Sequence, residues 1–139
     1  MKIKKILVPS ILIWLSKTVI LWLTCGWLFS WVYEIPPNIW IEPEIMMNTS
    51  NMIYSNLFSF IGTVIFTMVF IRIYNGIPGK GIKKGINYGI LVWLVGAFSA
   101  MITMPFYMTI ASTVIIYWII QAFVINVIGG YILGALIKK

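Results

Sequence analysis

Histidine is absent from this sequence, cysteine occurs once, and acidic residues number three. Without histidine there are no imidazole metal ligands, no histidine-held haem and no histidine general base. The lone Cys25 excludes an internal disulfide and a CxxC redox pair. Charge is scarce altogether: 9% of the residues are charged and 61% hydrophobic, against roughly 25% charged in a soluble domain. A soluble globular protein is thereby excluded. The net charge of +7 does not signal nucleic acid, because the apolar residues fall in runs long enough to cross a bilayer.

A helix needs about 20 apolar residues to cross a hydrocarbon core of about 30 Å. Four stretches meet that need, 6–32, 51–74, 85–104 and 106–137. The expected fold is all-α: a polytopic membrane protein, one domain over 1–139, with four transmembrane helices in an antiparallel bundle. The fourth stretch is longer than a perpendicular helix requires, so it is expected to tilt, kink near Gly129 and Gly130, or protrude.

Lys and Arg are retained on the cytoplasmic side. Lys2, Lys4 and Lys5 precede span one, Arg72, Lys80, Lys83 and Lys84 lie between spans two and three, and Lys138 and Lys139 end the chain. Both termini are therefore expected in the cytoplasm, the membrane being the cytoplasmic membrane of a prokaryote. Glu34, Glu42 and Glu44 fall on the opposite side. Trp31, Tyr33, Trp40, Tyr54 and Tyr107 are read as the outer aromatic belt, Tyr74, Tyr88 and Tyr131 as the inner one. The basic start imitates a signal peptide, but the apolar region is too long and no A-x-A site follows, so the segment reads as an uncleaved span. Trp22 and Thr24 suit acylation of Cys25 poorly, which leaves it a small buried thiol. Asn48-Thr49-Ser50 matches the glycosylation pattern, beside the membrane.

Helices in lipid associate through close backbone approach at small residues. Gly81, Gly85 and Gly89 are spaced by four, with Gly96 and Ala100 on nearly the same face. Asn126, Gly130 and Gly134 form a matching stripe in span four, and the two stripes are expected to pack as a tight hairpin. Span two carries a polar stripe instead: Asn51, Ser55, Ser59 and Gly62 follow Asn48 at three or four residues, with Asn56, Thr63 and Thr67 alongside. Asn amides need partners from elsewhere. That half of span two is expected to face the bundle interior or a wet cavity open to the outer side.

Lys17 is the one ionisable residue well inside a span, where an ammonium costs at least ~2.5 kcal/mol on insertion scales. Two placements are open. Buried, it would meet the span-two stripe and Gln121 or Asn126 of span four, none of them an acid, so that it lacks a counter-ion unless Glu34 or Glu44 folds inward; a depressed pKa or a bound anion would relieve it. Alternatively residues 2–16 lie along the surface, broken at Pro9, with Lys17 snorkelling at the start of a shorter span. The proline-stiffened outer loop from Glu34 to Met47 is expected to lie over the bundle mouth. The loop 74–85 lacks the GxxxxGK[ST] pattern, and its lysines are expected to hold topology and touch anionic headgroups.

Gly79, Gly81, Gly85 and Gly89, with the glycine-rich end of span four, resemble features of small, uncharacterised four-span prokaryotic membrane proteins. That resemblance implies no site residues. The lone cysteine contradicts a quinone-linked disulfide oxidase, and span one lacks the embedded acid usual in multidrug exporters of this size. Dense small-residue faces beside scarce reactive groups lead to a non-enzymatic reading without cofactor or metal: a helix-packing homo-oligomer or an accessory subunit of a membrane complex. Its partners are the bilayer, with anionic headgroups at the cytoplasmic face, and not nucleic acid. The alternative is a small-molecule, lipid or ion pathway, with Lys17 and the span-two stripe lining a cavity. An interfacial Lys17 supports the first, an inward-facing one the second.

Overall fold

The computed structural model describes residues 3–137. Lys2, Lys138 and Lys139, three of the bases that mark the chain ends, lie outside the described residues. Among the described residues every regular element is helical: α1 (Lys4–Leu23), α2 (Pro43–Met46), α3 (Thr49–Ile73), α4 (Gly81–Trp93), α5 (Ser99–Met101) and α6 (Ser112–Leu136). Wider π-turns at Thr24–Leu28 and Leu94–Phe98 prolong α1 and α4. Among the described residues four stretches are long and apolar enough to cross a membrane: Lys4–Leu28, Thr49–Gly76, Gly81–Phe106 and Ser112–Leu136.

Local chemistry sets the boundaries. The Asn48 side chain accepts the Ser50 N–H at 2.9 Å and caps α3, while Arg72 stands in its last turn, where the helix dipole favours a cation. Gly79 and Gly81, at φ 96° and 50°, supply the left-handed turn into α4. Pro9 does not break α1, which runs through it from Lys4 to Leu23, so the break at Pro9 expected in the surface-lying alternative does not occur. The fourth helix begins at Ser112 and not near 106, because the chain takes a tight turn at Met104–Phe106 around Pro105 and stays non-helical to Ala111. The surplus length is spent in that connection, and α6 passes Gly129 and Gly130 unbroken.

Adjacent helices run in opposite directions. Ser10 of α1 meets Thr67 of α3, and the Trp14 and Phe60 rings meet edge to face at 6.2 Å. Ile13 of α1 touches Gly129 of α6, while Thr24 meets Gln121. The packed core lies toward the end that carries Lys80 and Ile137, called here the basic end, and consists of Phe70, Ile71, Tyr74, Ile77, Tyr88 and Leu133 with their neighbours. Many outward-facing residues are large and apolar, among them Trp22, Phe58 and Val95, as suits a surface in contact with lipid tails. Toward the opposite, acidic end the bundle loosens, and there Trp40 of the long loop packs on Tyr33 at 4.6 Å and on Trp118 of α6 at 6.0 Å.

Two of the expected belt tyrosines are core residues. Tyr88 is 1% exposed, its hydroxyl donating to the Phe66 carbonyl at 2.7 Å between the rings of Phe66 and Phe70. Tyr74 is buried as well, edge-on to Phe70. A phenol that finds a carbonyl can be buried at little cost, so tyrosine composition alone does not mark an interface.

Candidate functional site

The glycine stripes meet backbone to backbone. A methyl group on Gly85 would collide with the Gly130 carbonyl and lie 2.6 Å from the Gly134 nitrogen; on Gly134 it would lie 2.6 Å from the Gly81 carbonyl. Gly89 faces the Asn126 carbonyl in the same way. Only hydrogen fits at these crossings, where dispersion and Cα–H···O contacts replace side-chain packing. Gly96 is different: a methyl there would meet nothing within 4 Å. It falls in the π-turn Leu94–Phe98, whose extra width takes it off the line set by Gly85 and Gly89. Beyond the glycine seam, α4 and α6 are held apart by the Trp93 and Phe123 rings, 5.0 Å between centroids, and the Trp93 indole donates to the Ile119 carbonyl at 2.9 Å.

At mid-height α1, α3 and α6 leave a partly open cavity of about 250 Å³, lined by Ile13, Lys17, Gly62, Thr63, Phe66, Ile125 and Asn126. Ile13 and Lys17 are four residues apart, as are Gly62 and Phe66, so each pair projects from one helical face. Lys17 stands thirteen residues after Lys4, roughly 20 Å along the helix axis. Among the described residues it has no hydrogen-bond or ion-pair partner. Asn126 donates one amide hydrogen to the Ala122 carbonyl at 2.8 Å, and Thr63 donates its hydroxyl to the Phe60 carbonyl at 2.7 Å. Asn126 thus retains a second N–H and its carbonyl oxygen. A methyl on Gly62 would meet nothing within 4 Å, which places the open side of the cavity beside that residue.

The remaining sequence candidates lie elsewhere. Asn51, Ser55 and Asn56 are exposed and Ser59 is half-buried. Asn51 donates to the Ile45 carbonyl at 2.8 Å, while Ser55 and Asn56 both donate to that of Met52, at 3.0 and 2.8 Å. Carbonyls at or just before the start of α3 therefore supply the partners expected from other helices. Gln121 is separate from Lys17: its amide donates toward Thr24 at 2.6 Å, Tyr117 at 2.9 Å and the Cys25 sulfur at 3.2 Å. This knot sits on the π-turn Thr24–Leu28 and joins α1 to α6. Burial and the adjacent Cys25 thiol push the Tyr33 hydroxyl up to about 12.

One loop lysine departs from its expected role. Lys84 is 9% exposed, donates to the Tyr74 carbonyl at 2.7 Å and lies 4.3 Å from the centre of the Tyr74 ring. It ties the end of α3 to α4, because a carbonyl at the helix end and an aromatic face together compete well for an ammonium. Sequence reasoning also missed Ile13, Phe66 and Ile125 as cavity walls, since apolar residues in a span carry no mark of what they face. Ser10, fully buried and 3.0 Å from the Thr67 hydroxyl, did carry a signal: a hydroxyl facing another across two apolar helices.

No family model matches the chain, and no match is found among curated proteins or solved structures.

Proposed function

We propose that this chain is a non-catalytic integral membrane protein that holds a small solute or a lipid group in the cavity beside Lys17, as a binding or transport protein. The observation that carries the reading is that cavity, where three helices leave about 250 Å³ around a mid-span ammonium and give it no partner. An uncompensated charge in a water-poor interior is costly and marks a functional position by default. The glycine faces, which would otherwise argue for oligomer contacts, are satisfied between α4 and α6 of one chain. Gly62→Trp tests the reading, because the side chain has room to turn across the open side. Native mass spectrometry of protein extracted with its own lipid is expected to find a small molecule on the wild type that the variant lacks at equal melting temperature. Identical occupancy, or none in either, overturns it.

A second reading, a subunit of a homo-oligomer or larger membrane complex, is supported by one patch. Gly96 and Ala100, four residues apart beside the 78%-exposed Val95, present small residues outward. In either reading both termini lie on the cytoplasmic side of a prokaryotic cytoplasmic membrane in an antiparallel four-helix bundle, with Lys4, Lys5, Lys80 and Lys83 against anionic headgroups. The Lys/Arg bias supports that orientation. In a Cys25→Ser background, an impermeant thiol reagent applied to intact cells should label Asn38→Cys and spare Asn75→Cys; equal labelling would reverse or abolish it.

A further inference from the structure

The cavity beside Lys17 and the exposed polar face of α3 are continuous. Asn51, Ser55, Ser59 and Gly62 succeed one another at four, four and three residues, so they share a face, and Gly62 is where the cavity opens. From that opening a polar track therefore climbs α3 to its acidic end, open to the side where the bundle is loose. The Ser55 hydroxyl bonds the Met52 carbonyl and remains an acceptor, and Asn51 and Asn56 each retain one amide hydrogen. A polar group moving along this face keeps partners throughout, while anything apolar attached to it stays in the surrounding tails.

What the cavity accepts follows from its charge. Lys17 is its one ionisable group, Asn126 offers a donor beside it, and Ile13, Phe66 and Ile125 are apolar. The three glutamates of the chain are all exposed, in or beside the loop joining α1 to α3. At about 250 Å³ the space lies just below the roughly 300–1,000 Å³ typical of ligand pockets, which suits one small head and not an extended molecule. Resting on the binding reading above, we propose that the ligand is an anionic group, a carboxylate or phosphate, which travels along Asn51, Ser55 and Ser59 and is held by the Lys17 ammonium with the Asn126 amide. A bound anion supplies the counter-charge that the fold withholds.

The test uses full-length protein in phosphatidylcholine nanodiscs, with laurate, dodecyl phosphate, dodecanol, dodecyltrimethylammonium and inorganic phosphate as probes. Laurate and dodecyl phosphate are expected to bind at least tenfold more tightly than dodecanol, and dodecyltrimethylammonium more weakly still. Lys17→Met should bring the anions to the dodecanol level at unchanged or raised melting temperature, Lys17→Arg should keep most of the preference, and Asn126→Ala should lose part of it. Inorganic phosphate binding as tightly as dodecyl phosphate identifies a free anion as the ligand; weak phosphate binding identifies a headgroup. Equal binding of the three charge types, or anion binding unaffected by Lys17→Met, overturns the anion assignment while leaving a Gly62-sensitive occupant intact. Absence of such an occupant is the separate failure of the binding reading. For the route, Ser55→Phe with Ser59→Phe should slow association and dissociation alike, at least tenfold, at constant Kd. Unchanged rates would overturn it.

Discussion

The two ends of this bundle solve the same problem differently. At the basic end α4 and α6 touch through bare backbone, with Tyr88, Phe70 and Leu133 filling the remaining space. At the acidic end the same two helices are spread by Trp93 and Phe123, Gly96 faces open space, and the start of α3 is exposed. The closest approach therefore lies at the end remote from the connection between α4 and α6. Proximity in sequence did not set the contact; the absence of side chains did. Where side chains return, the helices part.

Breaking the tight end should have the largest effect. Gly89→Ala would set a methyl group against the Asn126 backbone, 2.9 Å from its carbonyl carbon, and overpacking of this kind costs about 1–3 kcal/mol, with Gly89→Ile well beyond that. Gly96→Ala should be neutral or slightly stabilising, since helices favour Ala over Gly. Melting in one detergent compares them; equal losses would mean that the two glycines are equivalent after all. An intermediate effect is expected at the hairpin: Lys84→Met removes a hydrogen bond from a charged donor, worth about 1.5–3 kcal/mol, whereas Lys83→Met, exposed on the same helix, should leave the melt unchanged. The smallest contrast pairs two tyrosines. Tyr88→Phe loses the bond to the Phe66 carbonyl, about 1 kcal/mol, and Tyr107→Phe, 82% exposed at the loose end, should lose nothing measurable.

The sequence is legible where a residue type has one physical use. Apolar runs located all four spanning helices, and fourfold glycine spacing located the seam, because no other residue permits carbonyl contact with a neighbouring backbone. Gly96 continued that spacing but not the seam, for a π-turn leaves no compositional trace. Tyr88 and Lys84 were illegible for a related reason: the carbonyls that receive their polar tips, those of Phe66 and Tyr74, lie ten or more residues away on another element, and nothing in the sequence marks them. The stripe on α3 is legible as a face but the partners of its amides are not: Asn51 finds the Ile45 carbonyl of α2 and Asn56 the Met52 carbonyl of its own helix. Lys17 was singled out by charge alone, while the apolar walls around it became visible only in three dimensions.

The glycine seam also bears on how this molecule can move. Two backbones in contact, each without a Cβ at the crossing, have no rotamers to exchange and no slack to slide through, so α4 and α6 form one stiff unit. The α1 and α3 helices meet through hydroxyls and rings, Ser10 to Thr67 and Trp14 against Phe60, contacts that can be remade after a shift of part of a turn. Any breathing of the cavity is therefore carried by α1 and α3 against an α6 wall braced from behind by α4, and Lys17, riding on α1, is displaced with it.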